Sequence, residues 1–479
     1  MAILGIQFVI SFTAALFMQK LSPYYSLARW ILCNKLYRYL YPSNDALKAL
    51  AGRVVTKPVK GKRNIDSKKN VSNGGQVARN IETFTIPCNL EITLEQAKVE
   101  EVDLYTQHRY QDYRWLVDIS LCAFVVYSCV EIAVLWKSEV RAQEFNLSLV
   151  WCLMIVCFAI KELASLTAAY WHGQDSGERA MCISFGLFFL VLSMGVLVID
   201  ESILEFGLEN GYKSFMDNLI SCMKELGFTT REPPPLWSFK LALAVMSALV
   251  GAFVGFPGLR LANMYLDSLY YHESQPLFQV LLHAAFIGPI LPVLAWIRPL
   301  ARENLVSLDA NSQNSLSLTT ENFPKARILI VLSVCLLRMA MTRTSLQSYL
   351  NMANERVKKL RKETGKITNV QLQSKVARIF FYMSTVALQY LAPVILIFFL
   401  SLSWLSVDAA GSTPASVALN ATSNSTVFSE GTRYVAVLRR AFYCGELIKG
   451  LVSYFTWWTS LTWLSTSLFG VCYLRTFNS

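Results

Sequence analysis

Charge is what this sequence has least of. Only 16% of its 479 residues are Asp, Glu, Lys or Arg, against roughly 25% in soluble domains, which excludes an ordinary soluble surface. Catalytic signatures are absent as well. No GxxxxGKS/T loop, HExxH helix or GxSxG elbow occurs, so phosphate-loop, zinc-protease and serine-hydrolase chemistry have no motif to rest on. Histidine is scarce, with His108, His172, His272 and His283 far apart. The 11 cysteines contain no CxxC pair, and Cys122, Cys129, Cys152, Cys157, Cys182 and Cys335 lie in apolar runs, where a thiol behaves as a small hydrophobe. The pattern therefore implies no enzyme, no cofactor and no metal centre.

Apolar residues are abundant: 54% of the chain is hydrophobic, 13% is aromatic and the mean hydropathy is +0.38. A bilayer crossing needs about 20 mostly apolar residues. Nine stretches read as candidates: Ala2 to Met18, Trp115 to Trp136, Leu147 to Trp171, Ala180 to Ile199, Trp237 to Phe256, Leu277 to Ile297, Ala326 to Met341, Phe380 to Leu405 and Leu451 to Leu474. The expected fold class is an all-α integral membrane protein, a polytopic bundle of about nine hydrophobic helices. The first stretch suits either an anchor or a cleaved signal. Its first charge, Lys20, lies beyond the apolar run, which favours an anchor with its N-terminus outside.

The formal net charge of +11 would suggest nucleic acid in a soluble protein, but basic cytosolic loops account for it here and no nucleic-acid partner is expected. Residues 20–114 and 343–378 each carry a net +7, whereas 200–236 carries −4 and 406–432 carries −2. Placing the basic segments in the cytosol orients all nine crossings. The sequons at Asn420, Asn424 and Asn146 then face the lumen as glycosylation candidates. Residues 56–80 read as a flexible linker, and the acidic 200–236 segment as a cap or interfacial helix. Leu346, Leu350, Ala353, Val357 and Leu360 recur at helical spacing beside Arg356, Lys358, Lys359, Arg361 and Lys362. That pattern predicts a cytosolic basic amphipathic helix, with anionic cytosolic-leaflet lipid as its first expected partner and a calmodulin-like protein as the sharper alternative.

Charges inside the apolar stretches carry more information, because each costs roughly 2.5 to 3.5 kcal/mol at a helix centre unless paired or hydrated. Lys161 and Glu162 are deepest, with Lys161 fourteen residues past Leu147, or about 21 Å along a helix. Asp118 and Arg338 fall toward the same side, so all four form one candidate cluster. Two readings compete. One is a salt-bridged lock with Arg338 donating to Glu162 or Asp118; the other is an ion or proton pathway through Glu162. His283, inside the sixth stretch, reads as an interhelical hydrogen-bonding group or a relay. Backbone irregularity marks a second place. Gly251 and Gly255 have GxxxG spacing, which allows close helix approach or a homodimer, and Pro257 predicts an end or kink. Gly288, Pro289 and Pro292 interrupt the sixth stretch, freeing carbonyls that must face protein or water.

Ten strings in order resemble the transmembrane protein 161 family, among them YSLARWILCN (Tyr25 to Asn34), YRWLVD (Tyr113 to Asp118), GERAMC (Gly177 to Cys182), FPGLRLA (Phe256 to Ala262), LQYLAP (Leu388 to Pro393) and SLFG (Ser467 to Gly470). The likeness covers nearly the whole chain and leans toward the B paralogue type. It implies a multispanning protein without assigned catalysis, associated with ion-current control, membrane excitability and cardiac rhythm, or with stress protection. Partners of that kind would be channel or transporter subunits. The alternative from the residues themselves is a transporter or channel using Lys161 and Glu162.

Overall fold

Hydrocarbon offers the backbone no hydrogen-bond partner, so apolar stretches of this length have to satisfy their amides internally, as helices. The computed structural model describes residues 6–50, 83–87, 93–136, 146–173, 176–225, 234–301, 322–362, 366–411 and 444–478. In chain order these form α1 (Ile6–Leu21), α2 (Leu27–Cys33), β1 (Tyr37–Leu40), α3 (Asn44–Leu50), β2 (Thr85–Pro87), β3 (Glu95–Lys98), α4 (Glu101–Leu104), α5 (Tyr110–Trp136), α6 (Leu147–Trp171) and α7 (Ser176–Val198). There follow α8 (Leu208–Glu225), α9 (Leu236–Tyr271), α10 (Pro276–Ile287), α11 (Ile290–Ala295), α12 (Phe323–Lys362), β4 (Lys366–Thr368), α13 (Asn369–Phe381), α14 (Met383–Gly411) and α15 (Gly445–Asn478). The linker at 56–80 lies outside the described residues.

Five of these segments are long and apolar enough to cross a membrane: Tyr110–Ala133, α6, α7, α9 and the run Asn369–Ala409. α12 makes a sixth if its two halves, bent by 40° near Met341, count as one. The bend has a local cause. The carbonyl of Arg338 accepts from Thr342 Oγ1 at 3.3 Å and from Tyr390 Oη at 2.8 Å, drawing it away from the helix ladder. The remaining three expected crossings differ in form. α1 has 16 residues, the sixth stretch is split into α10 and α11, and α15 is long but rich in Ser, Thr and Trp.

α14 is the pole of the bundle: 89% of its most apolar window is buried. A helix apolar on every face demands neighbours on every face, and α5, α6, α9, α12 and α15 supply them. Its serines close their own hydrogen bonds, Ser401 onto the Ile397 carbonyl at 2.9 Å and Ser403 onto Phe399 at 2.7 Å.

The four short strands were not expected. β1 pairs antiparallel with β3, and β2 pairs with β4 in the register Thr85↔Thr368, Ile86↔Ile367 and Pro87↔Lys366. Thus the two basic segments are joined. Tyr37 N and O both bond the Gln347 side chain of α12, at 3.0 and 3.1 Å. The acidic segment does form a helix, α8, and it docks on α15 so closely that a Cβ at Gly211 would lie 2.8 Å from Leu447 Cα. All ten described cysteines are free thiols. Burial, with the Glu101 carboxylate second, pushes the Cys33 thiol up from its ordinary value and keeps it protonated.

Helix approach depends on small residues. Gly258 of α9 sits against Thr466 of α15, and a Cβ at Gly470 would come within 2.7 Å of Ala262 Cβ. Pairs of small residues four apart on both helices make this a close crossing. Gly258→Ala is therefore expected to destabilise the protein by about 1–3 kcal/mol through overpacking. Gly195→Ala, where nothing lies within 4 Å, should be neutral or mildly stabilising. Unfolding in detergent, followed for both variants, checks the contrast, and equal midpoints would contradict this account.

Candidate functional site

The four internal charges do not converge. Lys161 Nζ lies 2.8 Å from Glu162 Oε1, with the lysine 67% exposed and the glutamate 2%. α6 thus buries its carboxylate and turns the ammonium outward, where it also lies 5.8 Å from the Trp115 ring centroid. Asp118 serves a different purpose. Its carboxylate accepts from Ser26 Oγ at 2.7 and 3.0 Å and from the Ala28 amide at 3.2 Å, with Arg114 Nε 3.6 Å away. A carboxylate at orphan amides of a helix start is favourable, so Asp118 fastens α2 to α5.

Arg338 meets neither acid, which corrects the expected lock. It is 2% exposed, its Nε donates to the Ala285 carbonyl at 3.0 Å, and its guanidinium carbon lies 3.8 Å from the Trp463 ring centroid. The reason lies in the sixth stretch. In an unbroken helix the amide of residue 289 would take the Ala285 carbonyl, but Pro289 has no N–H. Arg338 supplies the missing donor. Both of its Nη atoms are buried without a hydrogen-bond partner among the described residues, so the indole face is their main compensation.

Gly288, Pro289 and Pro292 do break the helix between α10 and α11. The freed carbonyls face protein: Ala285 takes Arg338, and Val293 accepts from Trp457 Nε1 at 3.0 Å. Pro257, by contrast, ends nothing. α9 runs through it to Tyr271 because Phe256, Pro257, Gly258, Leu261 and Ala262 are all buried between neighbours, and packing outweighs one lost ladder bond. Gly251 and Gly255 are covered from within the chain. A Cβ there would come within 2.6 Å of Phe189 and 2.7 Å of Phe185 on α7, so this face is not free for a dimer. His283 Nδ1 lies 2.6 Å from Tyr265 Oη, an interhelical bond.

The apolar residues of the expected amphipathic pattern are spent within the protein. Leu346, Leu350, Ala353, Val357 and Leu360 are all buried in the protein, which leaves no open groove-binding face of the calmodulin-target kind. Arg356, Lys358, Lys359 and Lys362 remain exposed, and the Arg361 side chain lies outside the described residues. Asn146 is an N-cap, not an open sequon. Its Oδ1 accepts from Leu149 N at 3.2 Å and from Ser406 Oγ at 3.0 Å, while Nδ2 donates to the Ser406 carbonyl at 3.1 Å. A glycan there would have to displace the cap. Asn420 and Asn424 lie outside the described residues.

A cavity that no motif announced occupies the helix ends expected in the cytosol. Its volume is about 610 Å³, and its lining includes Arg109, Arg260, Arg356 and Arg378, with Glu178 as the one carboxylate among the described residues. Arg109 has φ 57°, a left-handed conformation costing a residue with a Cβ about 1–2 kcal/mol, and its Nη atoms bond Ser165 Oγ at 3.0 Å and Ser165 O at 3.3 Å. Arg260 Nε bonds Gln389 Oε1 at 3.4 Å, and Gln389 Nε2 donates to Tyr170 Oη at 2.8 Å. The contributing arginines are separated by up to 269 positions, too far for spacing to reveal them. A second groove of about 770 Å³ runs along α1 and α5, but its charges, Arg114 and Asp118, already pair. Among the described residues no three His, Cys, Asp or Glu come together to hold a metal.

Several apolar helices long enough to cross a bilayer define a multi-pass membrane protein. Residues 2–478 match the family described as predicted transmembrane protein 161AB. The chain belongs to that family. No solved structure matches it.

The Arg338 node makes a measurable claim. Arg338→Leu leaves the Ala285 carbonyl buried and unpaired, which costs about 1–3 kcal/mol. In a Pro289→Ala background the restored amide can take that carbonyl, so the same change should cost about 1 kcal/mol less. A double-mutant cycle on unfolding in detergent measures this, and strictly additive losses would rule the compensation out.

Proposed function

We propose that this chain, nearer the B than the A type of its family, is a non-enzymatic nine-crossing membrane protein that regulates ion currents or stress responses through membrane partners. The crossing number is supported by which segments meet. At one end, Leu147 N bonds Gln7, Asn146 bonds Ser406, Arg298 N bonds the Ile203 carbonyl, Arg327 pairs with Glu205, and Lys449 and Lys325 pair with Asp408. At the other end lie the basic segments, so α1, the broken α10–α11 pair and α15 each run from one set of contacts to the other. Arg356, Lys358, Lys359 and Lys362 stand on the basic side, available to anionic lipid or to a channel or transporter subunit.

One observation carries the regulatory reading: the bundle axis is occupied by a buried helix, and Asp118, Glu162 and Arg338 are each held by separate neighbours and not by one another. A conduction path needs polar groups in series along the bilayer normal. Glu162, Asp118 and Arg338 instead bond three unrelated sets of atoms. The transporter alternative keeps one support, the buried Glu162 carboxylate held by an exposed lysine.

Reconstitution separates the two. Pure protein in liposomes is expected to leave proton, Na⁺, K⁺ and Cl⁻ permeability at the level of empty vesicles, while its removal from an excitable cell should alter whole-cell currents. A flux abolished by Glu162→Gln would overturn the regulatory reading in favour of transport. Unaltered currents after removal would leave the ion-current role without support.

A further inference from the structure

We propose that the arginine-lined cavity binds a phosphate-bearing anion, supplied either by the headgroup of a phosphorylated lipid or by a soluble polyphosphate. Binding here does not depend on which partners the protein regulates.

The demand for an anion comes first from charge. Among the described residues four guanidiniums face one carboxylate around about 610 Å³, and Arg109, Arg260, Arg356 and Arg378 form no ion pair there. Elsewhere on the same side arginines do find acids: Arg29 pairs with Glu101 at 3.0 Å and Arg38 with Asp103 at 2.8 Å. Like charges gathered around one space repel unless something neutralises them. The space is of ligand size.

Geometry narrows the ligand. Guanidinium forks match phosphate oxygens and give paired, charge-assisted bonds. Arg109 is anchored by Ser165 in a strained backbone setting, and Arg260 is aimed by Gln389, itself held by Tyr170. The Nη atoms of Arg260 have no protein acceptor among the described residues, and its guanidinium carbon lies 5.8 Å from the Tyr349 ring centroid. Arg378 similarly lies 5.6 Å from Tyr382. A chloride ion or a lone carboxylate could engage one or two such forks. A group carrying several phosphate oxygens can engage all four.

The two sources share this chemistry and differ in access. The cavity opens at helix ends expected to lie at the cytosolic face, within reach of an inner-leaflet headgroup and of a cytosolic solute. Full-length protein in phosphatidylcholine nanodiscs can be titrated with inositol hexakisphosphate, and compared in nanodiscs with and without phosphatidylinositol 4,5-bisphosphate. At least one probe is expected to raise the unfolding midpoint saturably, with an effect that weakens as salt rises. A response to the lipid alone assigns a headgroup, and a response to the solute assigns a soluble ligand. Arg260→Gln and Arg378→Gln should each weaken binding about tenfold, Arg260→Lys should lose less, and Lys358→Gln should leave it unchanged. Arg378 is exposed, so its variant serves even if Arg260→Gln fails to fold. The proposal is overturned if neither probe binds saturably, or if folded Arg378→Gln binds as tightly as the parent.

Discussion

One arginine ties four helices together. Arg338 projects from α12, donates to a carbonyl of α10, lies on the indole of α15, and offers its own carbonyl to Tyr390 of α14. Burying a cation without a carboxylate is expensive, and removing one member of such an arrangement strands the others. The arrangement nevertheless persists because each party repairs a defect in another. Pro289 orphans a carbonyl, Arg338 needs an acceptor, and the electron-rich Trp463 ring face compensates the cation in part. The break in the sixth stretch, the bend in α12 and the position of α15 are therefore one solution, not three local irregularities.

Around that node the bundle closes by proximity. Between helices in lipid there is little hydrophobic driving force, so van der Waals contact and hydrogen bonds must do the joining. α9 offers two surfaces of small residues. Gly251 and Gly255 receive the phenyl rings of Phe185 and Phe189, while Gly258 and Ala262 meet Thr466 and Gly470. α15 adds Thr456, Thr459, Ser460 and Thr466, whose hydroxyls return to their own helix at 2.7 to 2.8 Å. A helix with so many hydroxyls has low hydropathy yet can be buried, because each hydroxyl is satisfied before it meets a neighbour. Ser247 of α9 goes further, reaching Tyr454 Oη at 2.9 Å while its carbonyl accepts from Trp458 Nε1 at 2.8 Å.

Much of this architecture was legible from composition and spacing, since apolar length, proline and glycine act through the local backbone. The helix break at Gly288 and Pro289, the helical 208–225 segment and the apolar stripe of α12 are of that kind. What escaped was decided between distant segments. Depth arguments place Asp118, Lys161, Glu162 and Arg338 on one side, but depth is one coordinate of three, and azimuth around the bundle sends them to different neighbours. Proline at 257 reads as a stop because its missing donor is a local fact. Burial of its surroundings, through which α9 continues to Tyr271, is a global one. The strands of the 20–114 segment were missed because three- or four-residue pairings leave no periodicity to detect.

Basic residues flanking transmembrane helices are usually read as a sorting signal, yet here they also become building material. Residues 20–114 and 343–378 each carry net +7, and the β2–β4 ribbon and the contacts of Tyr37 with Gln347 bring described parts of the two segments together. Self-repulsion opposes that union. Acids interspersed in the first segment relieve part of it, as Glu101 and Asp103 do for Arg29 and Arg38. The uncharged pairing of Asn369 with Phe84, Asn44 and the strand ends adds attraction without adding charge. Of the described cations left over, Lys358, Lys359 and Lys362 stay in solvent, where screening weakens their repulsion, whereas Arg109, Arg356 and Arg378 converge with Arg260 on one cavity. These arginines are gathered around a space walled by aromatic rings, where each feels the others most. A fold that could have spread this charge and instead concentrates it has set aside part of its stability for whatever neutralises it.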